Sequence, residues 1–126
     1  QMESEGTKAV RTFIDSFNKQ DHKAHANSLN YPHVRLANGK YMTVESAEQF
    51  ARMSEKNNPR LLAEGWHHTE INSIKVIHSG DDKEHIALTM DRINAEGTVY
   101  NRFDTFWVAT RQDDHWGIQF RSSFLS

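Results

Sequence analysis

Apolar residues in the first part of the chain recur with the period of a helix. Within residues 7–20, four of them fall at i, i+3, i+4 and i+7, namely Val10, Phe13, Ile14 and Phe17. This spacing places all four on one side of a helix. The pattern therefore predicts an amphipathic helix that packs against a sheet.

Two further helices are predicted before residue 60. Asp21 can cap a second, short helix that continues to about Leu29. On that helix, His22 and His25 are expected to face solvent. A third helix, capped by Thr43 or Ser46, keeps helical spacing until residues 57–59, where a proline is expected to end it.

Between the second and third helices, the sequence has a hairpin signal. Asn38-Gly39 tolerates the positive φ angles of a type I′ turn. The residues on either side, 33–37 and 40–43, are therefore predicted to pair as two short antiparallel strands.

The second half of the chain changes to the alternating pattern of strands. Four are predicted, over residues 66–78, 85–94, 98–110 and 115–125, with turns between them. The last two turns are interpreted as three-residue loops, in which Asn94 lies opposite Thr98 and Arg111 lies opposite His115. This register assigns every side chain of the meander to one face of the sheet.

On the face that the helices cover, the predicted register places apolar residues at one end and polar residues at the other. Such a gradient is typical of a pocket with a few polar groups at its mouth. The polar end consists of His68, Glu70, Arg92, Tyr100, Arg102 and Asp104.

The opposite face of the sheet contains Phe103, Trp107 and Arg121 in the predicted register. Large aromatic residues on a sheet face that no helix covers favour a homodimer packed through that open face. The alternative is that the third helix or the N-terminal segment shields them.

Composition limits the classes of function. The chain has 126 residues, the usual size of one domain, and a formal charge of −2 without blocks of one sign. Binding to nucleic acid or to a membrane surface is therefore not expected. The absence of cysteine and of a long apolar run favours a soluble cytoplasmic protein. Residues 1–6 are polar and are expected to be disordered or vector-derived.

The candidate chemistry rests on a histidine. An inward-facing His68 could act as a general acid or base, assisted by Tyr100 and Arg92, because imidazole titrates near neutral pH. Arg92 could anchor a ligand carboxylate. The alternatives are a His68 that is simply hydrogen-bonded and an ion pair between Arg92 and Glu70. No metal-binding spacing or phosphate-binding loop is present, so neither a metal nor a cofactor is predicted.

Several segments resemble a known superfamily, namely FNKQDHKAHANSLNYPHVRLANGK, GWHHT, RINAEGTVY and HWGIQFRSSF. Together with the order of helices, hairpin and meander, they resemble the nuclear transport factor 2-like superfamily, also called SnoaL-like or cystatin-like. The resemblance implies one α+β domain over residues 1–126, with a curved antiparallel sheet wrapped by three N-terminal helices into a cone. It points to the motif residues Tyr31, His33, Arg35, Trp66, His68, Arg92 and Arg121.

The resemblance implies several functions, because this scaffold supports isomerases, dehydratases, hydrolases and pure binding modules. The expected function is binding of a small, partly apolar molecule in the cone, with or without cofactor-free acid–base chemistry. The ligand-binding residues would be Tyr31, His33, Arg35, Trp66, Glu70, Arg92, Arg102 and Asp104, and the catalytic residues would be His68 and Tyr100. The alternative is a non-catalytic dimeric module whose cone is filled by its own side chains.

Overall fold

Three helices lie on one face of a six-stranded sheet, and the computed structural model describes residues 2–125 of this α+β fold. The helices are α1 (Glu5–Asn18), α2 (His22–Asn27) and α3 (Ala47–Ala63). The strands are β1 (Leu29–Ala37), β2 (Lys40–Val44), β3 (His68–Ser79), β4 (Lys83–Ile93), β5 (Val99–Gln112) and β6 (His115–Ser123). Within residues 2–125, no helix is long and apolar enough to cross a bilayer.

The first helix begins earlier than its apolar pattern indicates. Ser4 caps α1 by accepting a hydrogen bond from the backbone N–H of Thr7 at 3.1 Å, and its hydroxyl donates to Glu84 of β4 at 2.8 Å. The prediction of disorder is therefore wrong for residues 4–6, because the cap ties them to the sheet. Gln1 lies outside the described residues.

The caps of the other two helices agree with the sequence, but the end of α3 does not. Asp21 caps α2 and Ser46 caps α3, as predicted. However, α3 continues through Pro59 for another turn. Leu61 in that turn is only 2% exposed, so its burial offsets the backbone hydrogen bond that proline cannot form.

The predicted hairpin is part of the main sheet. Asn38 and Gly39 have φ angles of 55° and 71°, and the pairing of β1 with β2 has the predicted register. Strand β1 also pairs in parallel with β6, which gives the strand order β2-β1-β6-β5-β4-β3. This parallel contact holds the hairpin residues against the end of the meander.

A β-bulge between β4 and β5 changes the face of every β5 residue beyond it. Ile93 pairs with Val99, but Arg92 pairs with Asn101, which leaves one extra residue on β5. Beyond the bulge, Met90 lies opposite Phe103 and Ile86 lies opposite Trp107. The placement of these two aromatic residues on the open face is wrong, since Trp107 is 3% exposed in the core.

The turn between β5 and β6 also differs from the prediction. It is a two-residue turn in which Asp113 and Asp114 have φ angles of 51° and 62°, rather than a three-residue loop. With a further irregularity after Val108, Trp107 pairs with Arg121. Arg121 therefore lies on the helix-facing side, and its assignment to an interface is also wrong.

A third irregularity lies in β3 between Ile71 and Ser73. On the C-terminal side of this irregularity, the predicted apolar rows are confirmed, since Ile74 pairs with Leu88 and Val76 pairs with Ile86. On its N-terminal side, Thr69 faces the helices and lies opposite Arg92. The neighbours of Thr69 on the strand, His68 and Glu70, consequently point to the other face.

Candidate functional site

A cavity of about 290 Å³ lies between the concave face of the sheet and the helices. We call this space the cone cavity. Its aromatic wall comes from α1, α3 and β5 and consists of Phe13, Phe17, Phe50, Phe103 and Trp107. Its basic groups are Arg35, Arg60, Arg92, Arg121, His25 and His33. None of the described lining residues is acidic.

His33 and Arg121 form a buried pair at the centre of the wall. His33 is fully buried, with Nδ1 at 3.0 Å from the carbonyl oxygen of Ile118, and Arg121 Nε donates to His33 Nε2 at 3.1 Å. A carbonyl can only accept, so the imidazole proton is on Nδ1. Burial, followed by the charge of Arg121, lowers the pKa of His33 to about 3. His33 is therefore a neutral support for the guanidinium.

The guanidinium group of Arg121 lies against aromatic rings. Its carbon is 4.9 Å from the ring centre of Phe13 and 5.9 Å from that of Trp107. These contacts stabilise a cation in an apolar wall. Even so, burial and the positive charge of Arg35 lower the pKa of Arg121 to about 9.

Like Arg121, Arg35 forms no ion pair with a residue in the range 2–125. Its Nε is buried and has no hydrogen-bond partner among the described residues. Burial, followed by the charges of Arg92 and Arg60, lowers the pKa of Arg35. Four guanidinium groups of like charge therefore share one cavity.

His25 is buried, so the prediction that it faces solvent is wrong. It is 4% exposed, and the edge of its ring packs against Phe13 and Phe50, at centroid distances of 4.3 and 4.9 Å. Nδ1 lies 3.2 Å from Ser54 Oγ, and Nε2 has no partner among the described residues. Burial, followed by the charge of Arg121, lowers the pKa of His25 to about 3.

Arg92 lines the cone cavity, but its ion pair differs from the one predicted. It donates to Glu64 Oε2 at 2.7 Å rather than pairing with Glu70. Tyr100 donates to the same oxygen at 2.6 Å. Burial, followed by this hydrogen bond, raises the pKa of Tyr100. The hydroxyl of Tyr100 is thus bound to the carboxylate, and Tyr100 is not part of the cavity wall.

His68 lies outside the cavity as well. Its Nε2 is 2.9 Å from Glu70 Oε2, and its Nδ1 is 2.9 Å from Nδ1 of the exposed His67. The structure therefore does not bring His68 and Tyr100 together beside the cone cavity. The irregularity in β3 explains why His68 points away.

The remaining predicted ligand-binding residues divide between core and outer surface. Tyr31 donates to the carbonyl of Ala26 at 2.6 Å, and the buried Trp66 donates to Thr69 at 2.9 Å. On the outer face, Arg102 forms a two-pronged ion pair with Asp91, with distances of 2.6 and 3.0 Å, and Asp104 accepts from Thr89 at 2.9 Å. None of these four predicted residues lines the cavity.

Three of the residues predicted to bind a ligand line the cavity, namely His33, Arg35 and Arg92. Sequence reasoning missed His25, Phe13 and Phe50 as lining residues. A signal for His25 is present, because His25 lies four residues before Leu29, which the sequence places on the inner face of the predicted second helix.

Comparison with protein families gives one match over most of the chain. A family described as "NTF2-like protein (DUF6841)" matches residues 4–120. No curated protein matches the sequence.

Solved structures with a similar fold are distant in sequence. An NTF-2 like protein of unknown function from Shewanella oneidensis has a TM-score of 0.70 at 17% identity, with 94% of this chain and 95% of that chain covered. A protein of unknown function with a cystatin-like fold from Nostoc punctiforme has a TM-score of 0.75 at 9% identity, with 95% and 87% covered. A ketosteroid isomerase-like protein from Erwinia carotovora atroseptica has a TM-score of 0.65 at 14% identity, with 94% and 92% covered. At these identities, the similarity shows the fold alone.

Proposed function

The chain belongs to the NTF2-like family (DUF6841), and we propose that its cone cavity binds a small, partly apolar molecule. The observation that carries the proposal is a space of about 290 Å³ with an aromatic wall and a few basic groups. This volume equals that of about ten water molecules. Mostly apolar walls with a few directional polar groups are the usual composition of ligand sites.

The same volume argues against a cone filled by its own side chains. An empty void would leave Phe103, which is only partly buried, without packing partners on its cavity side, which costs dispersion energy. A ligand that occupies the void restores those contacts. Binding therefore accounts for the cavity better than a purely structural module does.

We propose binding rather than catalysis because the two histidines of the cavity wall are poor proton acceptors. Cofactor-free isomerisation, dehydration or hydrolysis needs a proton acceptor beside the substrate. His33 has both ring nitrogens engaged, whereas Nε2 of His25 is free of partners among the described residues. With its pKa lowered to about 3, His25 is neutral at pH 7 but a weak base.

A matched pair of substitutions on β5 tests ligand binding. A thermal-shift screen of small carboxylates and terpenoid- or steroid-like molecules should give hits that raise the melting temperature. Phe103→Ala, in the cavity wall, is expected to weaken binding of a hit by about tenfold. Phe106→Ala, on the opposite face of the same strand, should leave its affinity unchanged. Equal losses in both variants, or a screen without hits, would contradict binding in the cone cavity.

We also propose a homodimer through the outer face of the sheet, centred on Phe106 rather than on Trp107. The outer face has a half-buried apolar patch and is bordered by the more exposed Leu36. The patch consists of Val34, Phe106, Val108 and Phe120. Arg102 and Asp104, of opposite charge, lie beside it on the same face. A two-fold arrangement can therefore pair unlike charges around an apolar centre.

Light scattering after size-exclusion chromatography checks the dimer. Phe106→Glu is expected to raise the dimer dissociation constant at least about tenfold, because the carboxylate would lose water at the interface. Lys56→Glu, at an exposed position of α3 on the other side of the sheet, is the control and should leave the mass unchanged. A parent protein that is monomeric at every concentration would refute this arrangement.

A further inference from the structure

We propose that the cone cavity selects a small organic monoanion, namely a carboxylate on a flat apolar body, and that Arg121 and Arg35 hold the carboxylate. This inference rests on the proposed small-molecule binding and specifies its ligand. It follows from the charges, the hydrogen-bond donors and the shape of the cavity.

The charge of the cavity wall is positive and only partly compensated. Four arginines line the space, and none of the described lining residues is an aspartate or glutamate. Arg92 is paired with Glu64 at 2.7 Å, and Arg60 lies in the exposed part of α3, where Nε donates to Asn57. Arg35 and Arg121 form no ion pair within residues 2–125. An anion is the one type of ligand that would compensate them both.

Arg121 and Arg35 also have N–H groups that can donate hydrogen bonds to a ligand. Nε of Arg121 is engaged by His33, but its two terminal nitrogens form no hydrogen bond with the described residues. Nε of Arg35 is buried without a partner. A buried guanidinium donor without a partner, such as Nε of Arg35, is costly, and burial is the main cause of the lowered pKa values of Arg35 and Arg121. A carboxylate accepts two parallel N–H bonds from a guanidinium and would remove this penalty.

The aromatic residues around Arg121 indicate the shape and polarity of the rest of the ligand. Because its guanidinium lies against Phe13 and Trp107, a carboxylate bound to it brings the rest of the molecule alongside the aromatic wall. Flat apolar groups stack or pack edge-on against such rings. A one- or two-ring acid fits a volume near that of ten water molecules.

Calorimetric titration of three acids and their neutral amides tests the charge selection. The probes are benzoate, phenylacetate and 2-naphthoate, with the three corresponding amides and inorganic phosphate. At least one acid is expected to bind about tenfold or more tightly than its amide. This preference should fall towards one in Arg121→Met and in Arg35→Met, which keep an apolar stem but lose the guanidinium. Arg52→Met, at an exposed position of α3, is the matched control and should keep the preference.

The ratio of acid to amide affinity separates recognition from structural damage, because a distorted cavity would weaken both compounds equally. Amides that bind as tightly as the acids would overturn the anion proposal and leave small-molecule binding intact. Failure of all compounds to bind would overturn both. Phosphate that binds as tightly as the best acid would show a site for a hydrated inorganic anion instead. If Arg121→Met does not fold, Arg35→Met gives the same comparison, and Arg121→Lys should retain part of the preference.

Discussion

Replacing Gly117 with alanine should lower the free energy of unfolding by about 3 kcal/mol or more. Gly117 lies in β6 where the strand passes β1, and an added Cβ would lie 2.7 Å from the carbonyl carbon of Leu29 and 2.9 Å from the backbone nitrogen of Asn30. Both obstacles are backbone atoms, which cannot rotate away as a side chain does. Relief would require β1 and β6 to separate. Urea denaturation of parent and variant at pH 7 measures the difference.

Gly80→Ala is the control for this substitution. Gly80 lies in the exposed turn between β3 and β4, and the nearest atom to an added Cβ is a carbonyl oxygen at 3.6 Å, which is an ordinary contact. The change should therefore leave the free energy of unfolding within about 1 kcal/mol of the parent value. Parent-like stability of Gly117→Ala would show that the approach of β1 to β6 is looser than the structure has it.

The contact at Gly117 also joins the two strands that carry the unpaired guanidinium groups of the cone cavity. His33 and Arg35 lie on β1, whereas Arg121 lies on β6 in the parallel pair, opposite Arg35. The hydrogen bond from Arg121 to His33 spans the same two strands. A separation of these strands would move the two unpaired guanidinium groups relative to each other. Gly117→Ala should thus weaken ligand binding as well as stability.

The helices and the first hairpin could be predicted from sequence because their signals are local. The repeat of Val10, Phe13 and Ile14 fixes the buried side of α1, where all three are at most 7% exposed. Asn38-Gly39 specifies a two-residue turn because both residues accept positive φ. Each signal acts within a few residues, so no knowledge of the sheet is needed.

The faces of the sheet could not be predicted, because β-bulges leave little trace in a sequence. One extra residue opposite Arg92 turns Phe103 and Trp107 inward and Arg102 outward. Asp113-Asp114 forms a two-residue turn without the glycine that normally marks one. Each slip of one residue exchanges the two faces. Along β5, the residues predicted for the interface therefore face the cavity, and the residues predicted for the pocket face outward.

The basic residues of the cavity were only partly recognisable for a related reason. The sequence resemblance points to His33 and Arg35, whereas the helical pattern predicts that His25 faces solvent. Arginine is rarely buried and histidine is buried less often than apolar residues, so sequence patterns favour exposure. What reverses this default is tertiary packing, in this case the approach of α2 to Phe13 and Phe50.

Acid should destabilise the protein through its two buried histidines, by about 4 kcal/mol in total between pH 7 and pH 5. The pKa values of His25 and His33 are lowered by burial from 6.5 to about 3. Below pH 6.5 the unfolded chain therefore binds protons that the folded chain does not bind. Stability rises with pH from about 3 to 6.5 and falls as the pH drops through that range. Urea denaturation at pH 7, 6 and 5, at constant ionic strength, measures this slope.

His33→Asn isolates one of the two contributions, since the amide can still donate to the carbonyl of Ile118 but does not titrate. It should lose about half of the pH dependence between pH 7 and pH 5. His67→Gln, which removes an exposed imidazole, should keep all of it. Carboxylates with a lowered pKa, such as Asp91 beside Arg102, lose their contribution only as the pH falls below their unfolded value of 3.8, outside this window. A free energy of unfolding that is the same at pH 5 and pH 7 would mean that His25 and His33 reach solvent and protonate within the folded protein.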